Sequence, residues 1–331
     1  MTSPLGPQFR PPRGAADAGA VLALLRACEA RDGFDPLSAS EFTPTADELA
    51  ARLTAADPQR ILLMEFNGQV IGYGRIIDWA EEDGTRVWLH VGWVAPEWRQ
   101  MGVGSALLRQ LEQRITALAT AAGGRWEYAA NANSTEPEAT QLLREHGYQV
   151  GYTVLELGLD WAAFEASLER TLWPSGFTTR PVTAEDVPAI VAAIDEAYRG
   201  EYQADRFRPQ IDWEAYTREL LAPPFDLALM QVAWQGDEVA GQVIPLIERG
   251  RGELREVSVR PAYRRRGVAR ALTTRAVLEL RARGVDVVRI STVAEFPTRA
   301  RDLYESLGFR VLKEFPRYRK PSALAIAAPT P

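Results

Sequence analysis

Two short turns rich in arginine and glycine are the residues of this sequence best suited to bind a phosphate group. They read Arg264-Arg265-Arg266-Gly267-Val268-Ala269 and Arg99-Gln100-Met101-Gly102-Val103-Gly104. Each follows an apolar segment and precedes a stretch whose apolar residues have helical spacing. The first backbone N–H groups of a helix lack partners within it and lie at the positive end of its dipole, so they attract anions. The two turns therefore predict two sites for a phosphate or pyrophosphate.

The spacing of the two turns indicates an internal duplication. Gly102 and Gly267 lie 165 positions apart, and a Val-x-Pro segment precedes each turn at the same distance. A second paired signature follows downstream, as Leu142-Leu143-Arg144-Glu145-His146-Gly147-Tyr148 and Leu303-Tyr304-Glu305-Ser306-Leu307-Gly308-Phe309. Each copy predicts a short helix that ends at glycine, followed by an aromatic residue that begins a strand.

These paired motifs resemble those of the GNAT family of acyl-CoA-dependent N-acyltransferases, in a tandem arrangement. The family's pyrophosphate motif is R/Q-x-x-G-x-G/A, and its closing helix often reads L-Y-x-x-x-G-F. The length and layout are similar to those of the mycothiol synthase group. The resemblance implies an α/β fold with a mixed sheet in each of two GNAT-like domains. We expect an N-terminal domain over residues 1–159, a linker helix over 160–175, a C-terminal domain over 176–320 and a tail over 321–331.

The resemblance also implies acetyl-CoA as the co-substrate and assigns its site residues. The pyrophosphate would bind at the two turns, and the strand before each turn would approach the thioester at Val94 in the first half and at Val257 and Val259 in the second. In the family a tyrosine at the position of Tyr304 acts as the acid for the leaving thiolate, and Glu256 on the preceding strand is our candidate for the base. The first half has Leu143 and Val91 at these positions. We therefore expect the second half to be catalytic and the first half to be degenerate or non-catalytic.

Some alternatives remain open at this point. Glu253 is a second candidate base, and His90 a candidate in the first half, although each is also a common type of structural residue. The first turn ends in Gly104 and the second in Ala269, and glycine is the more typical residue of the family at this position. The turn therefore favours the first half as the catalytic one, whereas the acid at Tyr304 favours the second half. A non-catalytic acyl-CoA-binding or regulatory protein and a protein N-acetyltransferase are the alternative functions. A P-loop is excluded because neither turn is followed by Gly-Lys-Ser/Thr.

The amino-acid composition restricts the classes of partner and binding site that we expect. The 331 residues are 46% hydrophobic, enough for two cores, and a net charge of −6 argues against a nucleic-acid surface. The one cysteine, Cys28, excludes a disulfide framework and a cysteine-based zinc site, and no metal site is predicted. The N-terminus lacks a signal-peptide pattern and no apolar run is long enough to cross a membrane, so we expect a cytoplasmic protein acting on a small-molecule amine. The oligomeric state stays open, with a monomer containing a pseudo-dimer of domains as one alternative.

The elements that position these residues follow one pattern twice. Two helices, a hairpin, a strand, the helix after the turn, a strand, a short helix and a last strand are predicted in each half. In the second half a first strand is expected over 177–181, and the hairpin is expected to begin with a strand over 227–234. Asn67-Gly68 predicts a type I′ hairpin turn, and Thr45 with Glu48 predicts a capping box. The acceptor of the second half would face the helix-loop-helix region that contains Glu201, Tyr202, Asp205, Trp213 and Tyr216.

Overall fold

The structure, a computed structural model, describes residues 6–55, 57–199, 207–295 and 299–322. It divides into two compact units, one built from the residues up to Tyr152 together with those from Phe315 onward, and the other from Thr153–Glu314. Both units have the mixed α/β architecture that the motifs predict, and that prediction is confirmed.

The helices and strands of the first half follow the expected order. They are β1 (Gln8–Arg10), α1 (Ala18–Asp32), α2 (Ala46–Thr54), β2 (Ile61–Phe66), β3 (Gln69–Ala80), β4 (Arg86–Val94), α3 (Val103–Ala122), β5 (Trp126–Asn131), α4 (Pro137–Glu145) and β6 (Gln149–Leu159). The second half repeats the order after one extra helix. Its elements are α5 (Trp161–Leu168), α6 (Val187–Tyr198), α7 (Trp213–Leu220), β7 (Gln231–Gln235), β8 (Glu238–Glu248), β9 (Arg251–Val259), α8 (Val268–Ala282), β10 (Val288–Val293), α9 (Ala300–Ser306) and β11 (Phe309–Pro321).

The sheet of each unit is completed by a strand from outside the expected boundaries. We expected residues 148–159 to close the first domain, but residues 154–158 of β6 pair antiparallel with β10 in the second unit. The first unit instead pairs residues 317–321 of β11 antiparallel with β5. The pattern along a strand does not identify its partner, so the sequence alone does not decide which sheet each strand joins.

The linker helix is also part of the second unit rather than a separate joint. It is shorter than expected, since α5 ends at Leu168. Its Phe164 is fully buried among core residues of that unit such as Leu157 and Phe309. The burial of Phe164 in this core holds α5 against the sheet of the second unit.

The two faces of each sheet are covered by different helices. In the first unit, Leu107 and Leu111 of α3 pack with Trp88 on one face. On the other face, α1 and α2 pack around Tyr73 of β3, which is fully buried. In the second unit, α8 and α6 have the corresponding places, in separate apolar clusters. Each sheet therefore has one face that holds the helix after the turn and an opposite face that holds the helix pair.

In each unit two parallel strands lie beside the glycine turn, and they stop pairing before the strand that leads into the turn has ended. β4 pairs with β5 over residues 86–90, and β9 pairs with β10 over residues 252–254. β4 then continues to Val94 and β9 to Val259 without a pairing to these neighbours in the described residues. The backbone of each strand end is thus open on the side of the gap, next to the glycine turn.

Several local predictions are confirmed and two are wrong. Thr45 and Glu48 form the capping box, and Asn67 and Gly68 both have positive φ, as a type I′ turn requires. The strand expected over 177–181 is only an isolated bridge from Thr178 to Trp234. The strand expected from Leu227 begins at Gln231 instead, because Asp226 caps a short 3₁₀ turn there by accepting from the Ala228 N–H. Side-chain capping of this type competes with strand pairing.

Among the described residues, no helix is both long and apolar enough to cross a membrane. The tail predicted over residues 321–331 lies outside the described residues, apart from Pro321, which ends β11, and Ser322.

Candidate functional site

The two glycine turns have the same backbone conformation. Gln100 and Gly102 have φ of 57° and 80°, and Arg265 and Gly267 have φ of 60° and 84°. Left-handed residues at these positions direct successive N–H groups to one side, which forms an anion-binding concavity before the helix. A Cβ placed on Gly102 or Gly267 would meet nothing within 4 Å, so open space lies over both turns. Both turns therefore have the backbone shape that a pyrophosphate needs.

The first arginine of each motif fastens the turn to the preceding strand. Arg99 Nε donates to the Val94 carbonyl at 3.1 Å, and Arg264 Nε donates to the Val259 carbonyl at 3.0 Å. Arg264 also donates to the carbonyl of Ala197 at the end of α6. The guanidinium of Arg264 therefore positions the turn through its bonds to two backbone carbonyls. The sequence contains no signal for this contact, because the acceptors are backbone carbonyls.

Carboxylates surround the turn of the first unit. Asp32 accepts two hydrogen bonds from Arg99, at 2.6 and 2.8 Å. Glu138, in the first turn of α4, accepts from Arg99 at 3.3 Å and from the Gln100 amide at 3.4 Å. A bound pyrophosphate would have to compete with Glu138 for these donors. The negative side chain also opposes a second anion nearby.

Cations surround the turn of the second unit. Arg265 is exposed and has no ion pair within the described residues, and Arg266 lies over the Phe177 ring at 4.4 Å. Arg270, in the first turn of α8, has a buried Nη1 atom without a hydrogen-bond partner. Counting from the glycines that end α4 and α9, Arg299 stands where the first unit has Glu138. The second turn is therefore much more favourable for an anion than the first.

The other motif residues complete the two turns. Val103 and Val268 begin the helices and are buried, whereas Met101 is exposed. Gly104 lies under α4, where a Cβ would be 3.3 Å from Leu142. The second unit accommodates Ala269 at this position. Val257 pairs with Val243 of β8 and is open toward β10, at the gap between the separated strands.

Glu256 lies in a recess on the face of the second sheet that α6 and α7 cover. Its carboxylate accepts a hydrogen bond from the Tyr198 hydroxyl at 2.8 Å. Burial raises the pKa of Glu256 to about 7, although hydrogen bonds from Tyr198 and Ser258 and the charge of Arg255 act in the opposite direction. A carboxylate with a pKa near neutrality is suited to accept and release a proton at physiological pH.

Tyr304 is the second titratable group near this recess. It is 4% exposed, and its hydroxyl makes no hydrogen bond to the described residues. Burial raises the pKa of Tyr304, and the charge of Glu256 raises it further, which places the two groups within electrostatic range. A neutral phenol without a partner is available to donate a proton to a ligand atom.

The buried amide of Gln242 lies next to the group that neighbours the Glu256 carboxylate, and no sequence pattern indicated it. Gln242 of β8 is 1% exposed and its Nε2 donates to the Ser258 hydroxyl. Ser258 thus has its own proton available for Glu256, whose pKa it lowers. Register explains the arrangement, because Gln242 and Ser258 are directly paired across β8 and β9. Only the strand register, which the sequence does not specify, could have identified it.

The first unit has no such pair of groups. Leu143 is buried at the position of Tyr304, and Val91 occupies the position of Glu256. His90 is buried and hydrogen-bonded to the Tyr148 hydroxyl at 2.8 Å, and burial lowers its pKa to about 3. An imidazole with this pKa stays neutral and is a poor base at neutral pH.

The space beside the first turn is also restricted. The cavity between α3 and α4, which Asn131 and Leu143 help to line, has a volume of about 70 Å³. Typical ligand pockets are several times larger, at roughly 300–1,000 Å³. Asn133, on the loop before α4, donates its amide to Glu41 at 2.6 Å.

The remaining candidates have structural contacts or lie outside the described residues. Glu253 accepts from Arg251 at 2.8 Å and is ion-paired, which does not suit a base. Trp213 and Tyr216 pack at the edge of the core between α6, α7 and the sheet. Residues 201, 202 and 205 lie outside the described residues.

Comparison with known proteins shows which family the chain resembles. The model of the acetyltransferase (GNAT) family matches residues 25–148 and again residues 187–309. The chain is 30% identical over 309 residues to a mycothiol acetyltransferase of Geodermatophilus obscurus, a match that covers 89% of this chain and 91% of the relative. A mycothiol acetyltransferase of Kineococcus radiotolerans is 30% identical over 298 residues, with 88% of each chain covered. The predicted tandem organisation and its mycothiol synthase-like character are confirmed.

Solved structures share the fold over the whole chain. A GCN5-related N-acetyltransferase from Sphaerobacter thermophilus has a TM-score of 0.74 and 25% identity, with 97% of both chains covered. A tandem GNAT protein from the clavulanic acid biosynthesis pathway has a TM-score of 0.64 and 15% identity, and the match covers 98% of this chain and all of that one. The second likeness supports the fold alone.

The carboxylate at the first turn leads to a prediction about CoA binding. Replacing Glu138 with Gln removes a negative charge beside the anion concavity and keeps the side-chain volume. In equilibrium dialysis with CoA, we expect the weaker class of binding, which we assign to the first unit, to tighten about fivefold. Glu145→Gln, at the far end of the same helix, is the matched control and should change nothing. A change in the stronger class, or in neither class, would contradict the assignment.

Proposed function

Because the chain belongs to the acetyltransferase (GNAT) family, whose members use acetyl-CoA, we propose that it transfers an acetyl group from acetyl-CoA to a primary amine in its second unit. The proposal rests on two titratable groups of the second unit, Glu256 and Tyr304. One is a carboxylate whose pKa is raised to about 7, and the other is a buried phenol whose hydroxyl has no partner in the described residues. The first unit has Val91 and Leu143 at these positions, so we propose that it does not catalyse transfer.

The second turn fits the pyrophosphate of acetyl-CoA. The N–H groups from Arg265 to Val268 would bind the phosphate oxygens, and Gly267 leaves room for their approach. The unpartnered Nη1 of Arg270 is a further donor beside them. The open edge of β9 at Val257 and Val259 would then hold the chain of the donor in the gap beside β10. Acetyl-CoA supplies the activated acetyl thioester when it is bound there.

Glu256 acts as the base in this proposal. At neutral pH an amine acceptor is present mostly as its ammonium ion, which cannot attack a carbonyl group until it loses a proton. Glu256 is ionised above pH 7 and takes that proton, while the hydrogen bond from Tyr198 holds its carboxylate in place. Direct attack of the free amine on the thioester follows, so no acyl group is carried by the protein.

Tyr304 acts as the acid. Its raised pKa keeps the hydroxyl protonated throughout the working pH range. The hydroxyl is therefore present as a donor while negative charge develops on the departing sulfur, and its proton moves to that sulfur as the C–S bond breaks. The charge of Glu256 contributes to the raised pKa, since a nearby carboxylate disfavours a phenolate.

The acceptor is proposed from the relatives. The curated relatives named above are mycothiol acetyltransferases, which makes the unacetylated precursor of mycothiol the first acceptor to assay. The recess around Glu256 contains the hydroxyl of Tyr198 and the nearby ring of Tyr216, groups that suit a polar small molecule with an amine. We propose a small-molecule amine as the substrate class and a cytoplasmic location.

The pKa of Glu256 predicts the pH dependence of the reaction. For the parent chain, log kcat/KM for the amine should rise with pH and level off above about pH 7, because only the ionised carboxylate accepts the proton. Glu256→Gln should lower kcat/KM by about 10² to 10⁴ and remove this limb. The assay is thiol release from acetyl-CoA with the precursor of mycothiol and a panel of primary amines. Glu248→Gln, an exposed glutamate on the neighbouring strand, should retain the parent profile, and an unchanged limb in Glu256→Gln would exclude the base.

The acid is tested by Tyr304→Phe in the whole chain. The variant keeps the ring packed against Phe309 and removes only the hydroxyl. We expect kcat to fall by about 10² or more while the affinity for CoA stays the same, since the proton is needed only by the leaving group. Tyr128→Phe in the first unit is the control and should have the parent rate. A rate within about threefold of the parent, or less than about 0.7 kcal/mol of barrier, would show that Tyr304 is not the acid.

A further inference from the structure

The first unit contains two neighbouring arginines that have no acidic partner among the described residues. Arg75 lies on β3 and Arg52 on α2, on the face of the sheet that α1 and α2 cover. The Nε atom of Arg75 is buried and has no hydrogen-bond partner. Burial lowers the pKa of Arg75, and the charge of Arg52 lowers it further, so the two cations are close together. Two unpaired cations at one partly buried place repel each other.

A third donor without an acceptor lies beside them. Tyr73 is fully buried, and its ring stacks on Trp93 with centroids 5.4 Å apart. Its hydroxyl lies beside Arg52, which can only donate, so the Tyr73 O–H has no acceptor within the described residues. Tyr73 and Arg75 are two positions apart on one strand and therefore point to the same face. Buried donors without acceptors are rare in native proteins, because each one costs free energy.

The strand register relates this place to the second unit. Arg75 is paired with Val91 across β3 and β4, just as Ile244 is paired with Glu256 across β8 and β9. Val91 and Glu256 are also separated by the 165 positions that separate the glycine turns. The first unit thus has a cluster of donors at the point of the duplicated fold where the second unit has its carboxylate.

We propose that this recess of the first unit, formed by Arg52, Tyr73 and Arg75, binds a small oxyanion of the carboxylate or phosphate type. The three side chains offer N–H and O–H donors, and an arginine fork matches the oxygen atoms of such an anion. The recess is distinct from the anion concavity at the start of α3, because the α1 and α2 helices cover the opposite face of the sheet from α3. The proposal does not depend on the identity of the acceptor or on which unit is catalytic.

The test uses the full chain saturated with CoA, so that the glycine turns are already filled. Sodium acetate and sodium phosphate are titrated by calorimetry, and thermal unfolding is followed with each salt against sodium chloride of equal ionic strength. We expect heat of binding and a higher unfolding midpoint with at least one of the two oxyanions. A response to acetate alone assigns planar carboxylates, and a response to phosphate alone assigns tetrahedral oxyanions, and either one supports the site.

Two variants locate the binding. Arg75→Gln should lower the affinity about tenfold or more, as expected for the loss of a charge-assisted hydrogen bond, and should not be less stable than the parent in chloride. Tyr73→Phe keeps the stacked ring and should weaken binding by a smaller factor. Arg109→Gln, an exposed arginine on α3, is the matched control and should bind like the parent. The proposal is overturned if neither oxyanion exceeds chloride, or if Arg75→Gln and Tyr73→Phe both bind like the parent.

Discussion

The candidate site depends on one backbone constraint, the left-handed turn between a separated strand and the helix that follows it. A strand that has lost its neighbour exposes backbone groups, and a turn with left-handed residues directs N–H groups toward the same gap. The hydrogen bond from Arg264 to the Val259 carbonyl joins these two features. This bond fixes the position of the turn relative to the edge of the strand. A ligand with both a phosphate and an extended chain requires such a fixed arrangement, because it contacts both.

The duplicated fold uses this constraint twice with different electrostatics. In the first unit the turn is held by Arg99, whose charge is paired with Asp32, and Glu138 reaches the same donors. In the second unit Arg299 is the counterpart of Glu138 by position along the chain and forms an ion pair with Asp302, and Arg265 and Arg270 add further positive charge. The two backbones agree within a few degrees of φ at the turn, so charge rather than shape distinguishes the units. The recess on the opposite face differs in the same way, with Glu256 in one unit and Arg75 in the other.

Much of this could be predicted from the sequence, because the features concerned are local. Gly267, the helical stripe after it and the Asn67-Gly68 turn are patterns within a few residues, and they predicted the turns, the helices and the hairpin. The exchange of β6 and β11 could not be predicted, since alternation along a strand does not identify its partner. The contacts of Gln242 with Ser258 and of Glu138 with Arg99 join residues that are distant in sequence. Glu256 and Tyr304 were chosen from a resemblance, and their shared electrostatic environment became visible only in the folded chain.

Productive binding of acetyl-CoA at the second turn can be measured by calorimetric titration of acetyl-CoA into the parent chain and into Gly267→Glu and Gly102→Glu, with circular dichroism as the check on folding. Both glycines have positive φ and open space above them, so the two substitutions are matched in strain. We expect Gly267→Glu to abolish the high-affinity binding and Gly102→Glu to retain it. Loss of that binding in Gly102→Glu, with its retention in Gly267→Glu, would assign the working acetyl-CoA to the first turn instead.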